Sequence, residues 1–97
     1  MHRVLVIDQD RDAVQALGLA CLSRDVGVAL ADNVCEGVRV LLSESISLVV
    51  VDAAQMRLAA HEHAELFDRV APGVPVVVVV SPSTSLESRL ALELAGF

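Results

Sequence analysis

Lysine is missing altogether from this chain of 97 residues, as are tryptophan and tyrosine, and cysteine occurs only twice. All side-chain positive charge apart from histidine therefore rests on arginine, and the formal net charge is −6. A surface of that sign repels a phosphate backbone, so the segment is not expected to bind nucleic acid by itself. Long apolar runs are lacking too. The stretch Val74–Val80 is short and carries Pro75, far from the roughly 18 residues a membrane span needs. Almost no glycine-, proline- and serine-rich low-complexity sequence occurs, and 55% of residues are hydrophobic, which excludes a disordered chain and predicts one small globular domain. No signal-peptide layout precedes the first apolar run, so a cytoplasmic location is expected. Nothing resembles a glycine-rich phosphate loop, which leaves a nucleotide-binding half-domain without support. Cys21 and Cys35 fall in helix-patterned stretches and are expected to be reduced, buried small hydrophobes rather than a disulfide.

What is present is a repeated pattern. Val4-Leu5-Val6-Ile7 runs into Asp8, Leu48-Val49-Val50-Val51 into Asp52, and Val76 to Val80 into Ser81. Short runs rich in β-branched residues predict strands buried on both faces, as in a parallel sheet. Ligands of open α/β sheets gather at the carboxyl ends of the strands, so two carboxylates and a hydroxyl are expected to face one crevice. Val26–Leu30 alternates weakly and predicts a less buried strand at an edge. Between the strands, Gln9-Asp10-Arg11-Asp12 supplies caps and first-turn acids for a helix reaching about Arg24. Asn33 with Glu36 forms a capping-box pair for a helix ending near Ser43-Glu44-Ser45. Met56, Ala60, His63, Phe67 and Val70 stripe a helix from about Gln55 to Val70, stopped by Ala71-Pro72-Gly73. Thr84 and Glu87 predict the box opening a final helix striped by Leu86, Leu90, Leu94 and Phe97. The expected fold is a doubly wound, flavodoxin-like α/β sheet, strand order 2-1-3-4, with helices on both faces and strands one, three and four central.

His61-Glu62-His63 does not predict a metal site. Residues two apart on a helix point to different faces, and the His-Glu-x-x-His spacing is not met. His63 falls on the apolar stripe and is expected to be packed with both ring nitrogens satisfied. Asp10 and Asp12 read as helix caps rather than ligands.

Over essentially its whole length the chain resembles a response-regulator receiver domain of two-component signalling. Arg3-Val4-Leu5-Val6-Ile7-Asp8, Asp52 after Leu-Val-Val-Val, Ser81 after the valine-rich strand, and the closing Leu-Glu-Leu-Ala-Gly-Phe carry the resemblance. It implies a signalling module rather than an enzyme, with a histidine kinase or another signalling protein as partner. It also implies that Asp52 stands at the phosphoacceptor position, with Asp8, Asp52 and the residue at Gln9 holding Mg²⁺ and Ser81 hydrogen-bonding the phosphoryl oxygens. The physical logic is a carboxylate nucleophile, a hard-cation holder and a hydroxyl donor at adjacent strand ends.

The departures point to a degenerate receiver that acts through protein–protein interaction. Gln9 replaces the second acid after the first strand, and Ala53-Ala54-Gln55-Met56-Arg57 lacks the proline and glycine of the family loop. Pro82 has no N–H to offer. The family's lysine would follow a fifth strand, which lies beyond Phe97. The expectation is a receiver-like domain over 1–97, truncated before its fifth strand and last helix. The strand-four and last-helix edge, thus exposed, would favour a homodimer.

Overall fold

The computed structural model describes residues 2–97. Its centre is a four-stranded parallel sheet of β1 (Arg3–Ile7), β2 (Gly27–Ala31), β3 (Leu48–Asp52) and β4 (Val76–Val79), in the order β2-β1-β3-β4. The connections carry α1 (Arg11–Leu22), α2 (Val34–Ser43) and α3 (Ala60–Val70), and α4 (Leu86–Ala95) follows β4. The doubly wound order expected from the sequence is the order found. The weakly alternating second strand lies at an edge, as expected. The expectation of a central β4 is corrected: it is the opposite edge, and Val77 and Val79 are 49% and 48% exposed.

Alternation along the strands sorts their side chains between two faces. Leu5, Ile7, Val49 and Val51 are fully buried and form the core with Ala29, Ala31, Val34, Leu41, Ile46 and Phe67. Burying a side chain of that size contributes about 1.5–3 kcal/mol. On this face α2 comes unusually close. A Cβ at Gly37 would lie 2.5 Å from Ile7 Cδ1 and 2.9 Å from its Cγ1, so only glycine lets the helix backbone seat on β1. That approach fixes Ile7, and with it the strand end that presents Asp8.

Helix boundaries follow local hydrogen bonds more closely than apolar stripes. Asn33 caps α2 by accepting from Glu36 N–H, while the Glu36 carboxylate accepts from Asp32 N–H rather than from the cap residue itself. The helix expected from Gln55 begins only at Ala60. Asp52 instead caps a 3-10 turn, Ala53–Gln55, and a loop follows. Glu62 then reaches back to accept from Ala59 N–H at 3.2 Å, which starts α3 there. The box expected of Thr84 and Glu87 is also displaced. Ser85 is the cap of α4, accepting from Ser88 N–H at 3.1 Å. Cys35 is exposed and Cys21 half-buried, both unpaired, so the expected burial of the thiols is corrected: the face of α2 bearing Cys35 turns to solvent. Leu86, Leu90 and Leu94 remain exposed, and of that stripe only Phe97 packs on the core.

Candidate functional site

Parallel register places the carboxylates. Ile7 pairs with Val51, so the next residues, Asp8 and Asp52, emerge side by side at the carboxyl ends of β1 and β3. Each is half-buried and braced by the turn that follows it. Asp8 Oδ1 accepts from Asp10 N–H at 2.9 Å, and Asp52 Oδ1 accepts from Ala54 N–H at 3.1 Å. Each carboxylate thus keeps a second oxygen for other partners. Burial raises the Asp8 pKa above the ordinary carboxylate value. The Asp10 N–H opposes that shift, and the neighbouring Asp52 carboxyl adds to it by like-charge repulsion and a side-chain hydrogen bond.

Two adjacent carboxylates are hard oxygen donors, the chemistry that suits Mg²⁺, which completes its shell with water. Among the described residues no third histidine, cysteine or acid joins them to form a metal-holding group. Gln9 is exposed and lines, with Asp8, a hollow on the β2 side of the site beside Arg11 and Asp32. Asp10 is committed to α1, its Oδ1 accepting from Asp12 and Ala13 N–H.

On the other side of Asp52 lies a cavity of about 430 Å³ between the β3–α3 loop and α4. Asp52, Ser81, Thr84 and Ser88 give it a polar end, and Met56, Leu58 and Leu92 an apolar one. Ser81 thus shares a cavity with Asp52, but its hydroxyl is engaged locally. It lies 2.8 Å from Ser83 Oγ and accepts from Ser83 N–H at 3.2 Å. The β4–α4 loop is tied further by Arg89, whose Nη2 donates to the carbonyls of Ser81 and Pro82 at 3.4 and 3.5 Å. Thr84 went unrecognised in the sequence as a lining residue. Because Ser85 takes the cap, the Thr84 side chain is left to the cavity. The signal was the serine- and threonine-rich run Ser81-Pro82-Ser83-Thr84-Ser85, which holds more hydroxyls than one helix start requires.

His61 is exposed and His63 buried on α3, so the two do not converge, as the spacing predicts. The expectation that both His63 nitrogens are satisfied is corrected. Nε2 accepts from Leu58 N–H at 3.0 Å, whereas Nδ1 is buried without a partner.

No protein-family model matches the chain. Over 81 residues, 80% of its length, it is 32% identical to the transcriptional regulatory protein GlrR of Escherichia coli K12, and it spans 18% of that protein. Among solved structures it resembles a CheY-like response regulator receiver domain protein from Methanospirillum hungatei, with a TM-score of 0.81 and 22% identity over 99% of this chain and 76% of that one. It equally resembles a response regulator protein from Burkholderia pseudomallei described with a phosphorylated aspartic acid, a calcium ion and citrate, with a TM-score of 0.81 and 18% identity over 99% of this chain and 56% of that one. The fold is that of a response-regulator receiver domain. The resemblance first read from the residues at the strand ends therefore stands in both sequence and structure. No helix among the described residues is long and apolar enough to cross a membrane.

Proposed function

We propose that the chain is a cytoplasmic receiver module of a two-component response regulator whose phosphoryl site is degenerate, and that it signals by binding a protein partner. The observation that carries this reading is the state of the β4–α4 loop. A phosphoryl group on Asp52 needs donors that replace water around its oxygens, and each missing one costs roughly 1–3 kcal/mol in a closed site. Ser81 is held by Ser83, Pro82 has no N–H, and Arg89 is turned to the loop carbonyls. Gln9 adds no charge to a metal site made of Asp8 and Asp52. Mg²⁺, if held, would rest on those two carboxylates and would offset the charge of an incoming phosphoryl group.

The alternative is a Mg²⁺-dependent phosphoacceptor, phosphorylated on Asp52 by a histidine kinase. The pairing of Asp8 with Asp52 and the cavity shared by Asp52 and Ser81 favour it. Titration with beryllofluoride and Mg²⁺, followed by amide shifts at Asp8, Asp52 and Ser81, separates the two. The degenerate module binds weakly and moves Ser81 little, and the double variant Pro82→Ala with Gln9→Asp gains affinity. Tight binding by the native chain overturns the degenerate reading in favour of the phosphoacceptor.

The open β4 edge supports a second part of the proposal. In this reading a second copy of the chain covers that edge. Unpaired strand groups beside exposed Val77, Val79 and Leu90 favour such pairing. Sedimentation at high micromolar concentration should show a dimer, and a monomer there counts against it.

A further inference from the structure

Among the described residues His63 is the buried polar side chain, at 2% exposure. Its surroundings fix its protonation. The Leu58 backbone N–H can only donate, so His63 Nε2, 3.0 Å away, must hold a lone pair and the ring proton must sit on Nδ1. The ring is clamped by Phe67, with centroids 6.3 Å apart and planes 27° apart, and Phe67 meets Phe97 edge-on at 6.4 Å. That packing opposes a swing of the ring that would offer Leu58 another acceptor. Leu58 and Met56, on the loop that the ring holds, are the apolar end of the cavity that Asp52, Ser81 and Thr84 line.

We propose that His63 is a proton-operated latch on the loop of residues 56–59: a positioning residue that holds one wall of the Asp52 cavity while neutral and releases it when protonated. Protonation converts the acceptor Nε2 into a donor. Two N–H groups then face each other across the Leu58 contact, and a cation is left buried with an unpartnered Nδ1–H. Burial pushes the His63 pKa below its ordinary value of 6.5, and Glu62, in its own helix, pulls weakly the other way. Glu62, on α3 itself, is the charged group that acts on the ring. The latch therefore holds at neutral pH and opens only below the ordinary histidine range. It goes beyond the receiver reading, since it depends neither on phosphorylation nor on a metal.

The test is NMR on the whole chain without metal or phosphoryl analogue, from about pH 7.5 down to about pH 5. The expected results are an Nδ1–H tautomer at neutral pH and a roughly tenfold fall in Leu58 amide protection as His63 takes up its proton. The Met56 methyl shift should move with the same midpoint. In His63→Gln, which places a carbonyl oxygen near the Nε2 position, Leu58 should stay protected throughout. In His63→Phe it should be unprotected at every pH. An Nε2–H tautomer overturns the latch, as does Leu58 protection that is flat while His63 titrates. If neither variant folds, co-titration of Leu58 and His63 in the native chain decides.

Discussion

The two faces of the sheet are made from alternate residues of the same strands, yet they differ sharply in cover. On the first face Leu5, Ile7, Val49 and Val51 are fully buried, and α2 seats there at the closest approach glycine permits. The other face carries α1, in which no residue is fully buried, so that Leu19 and Leu22 are 61% and 73% exposed. A shallow hollow remains there between Ala13, Ala16, Leu17 and Ala20 of α1 and Val6, Val50 and Val79 of the sheet. One face is closed by helices of this chain, and the other keeps Val77 and Val79 exposed at its edge. Apolar composition does not distinguish them: valines supply both, and on the second face Val4 and Val6 of β1 are buried while Val77 and Val79 of β4 stay exposed.

The largest expected effect lies on the closed face. Leu5→Ala should cost about 2–5 kcal/mol, because its neighbours are too tightly packed to collapse into the void. Urea unfolding of the variant measures it, and a loss under about 1 kcal/mol would break the contrast between the faces. Gly37→Ala comes next, at about 1–3 kcal/mol, since the added methyl must displace Ile7. The same variant should shift the Asp8 amide resonance while leaving α4 unmoved. On the open face, Val77→Thr and Val79→Thr should each change monomer stability by no more than about 0.5 kcal/mol, yet weaken self-association in sedimentation. Asp8→Asn tests the rim where the faces meet. Asp8 has a raised folded-state pKa, so its stabilising contribution is present below its ordinary value of 3.8 and lost as pH rises through the folded value. The asparagine variant should therefore melt higher than the native chain near neutral pH. The gap should close towards pH 3.8 and shrink when Mg²⁺ is added.

The legible and illegible parts of this molecule divide by range. Runs of valine, isoleucine and leucine ending on Asp8, Asp52 and Ser81 revealed the strands, because burial leaves a strong compositional mark, and the family resemblance supplied the order in which they meet. The start of α3 was illegible because Met56 lies in phase with Ala60, His63 and Phe67. The chain instead follows short hydrogen bonds, from Ala54 N–H to Asp52 and from Leu58 N–H to His63, which periodicity does not encode. The same holds for α4, where Ser81, Ser83, Thr84 and Ser85 compete for one cap and the winner leaves Thr84 to the cavity. The orphaned Nδ1 of His63 could not be foreseen either, since an apolar stripe records that a side chain is inside and not what its polar atoms meet.

The register of β1 against β3 has a consequence for how the chain reaches its native state. Asp8 and Asp52 become neighbours only when two strands far apart in sequence lock together, with α1, β2 and α2 lying between them in the chain. Such non-local pairing is slow, because the entropy of closing the intervening loop is spent before any contact rewards it. Repulsion between the two carboxylates then weighs on that same step, so folding should quicken as one of them takes up a proton or a cation screens the pair. The strand ends that define the site are also a brake on assembly, and refolding rates measured against pH and divalent cation concentration should reveal it.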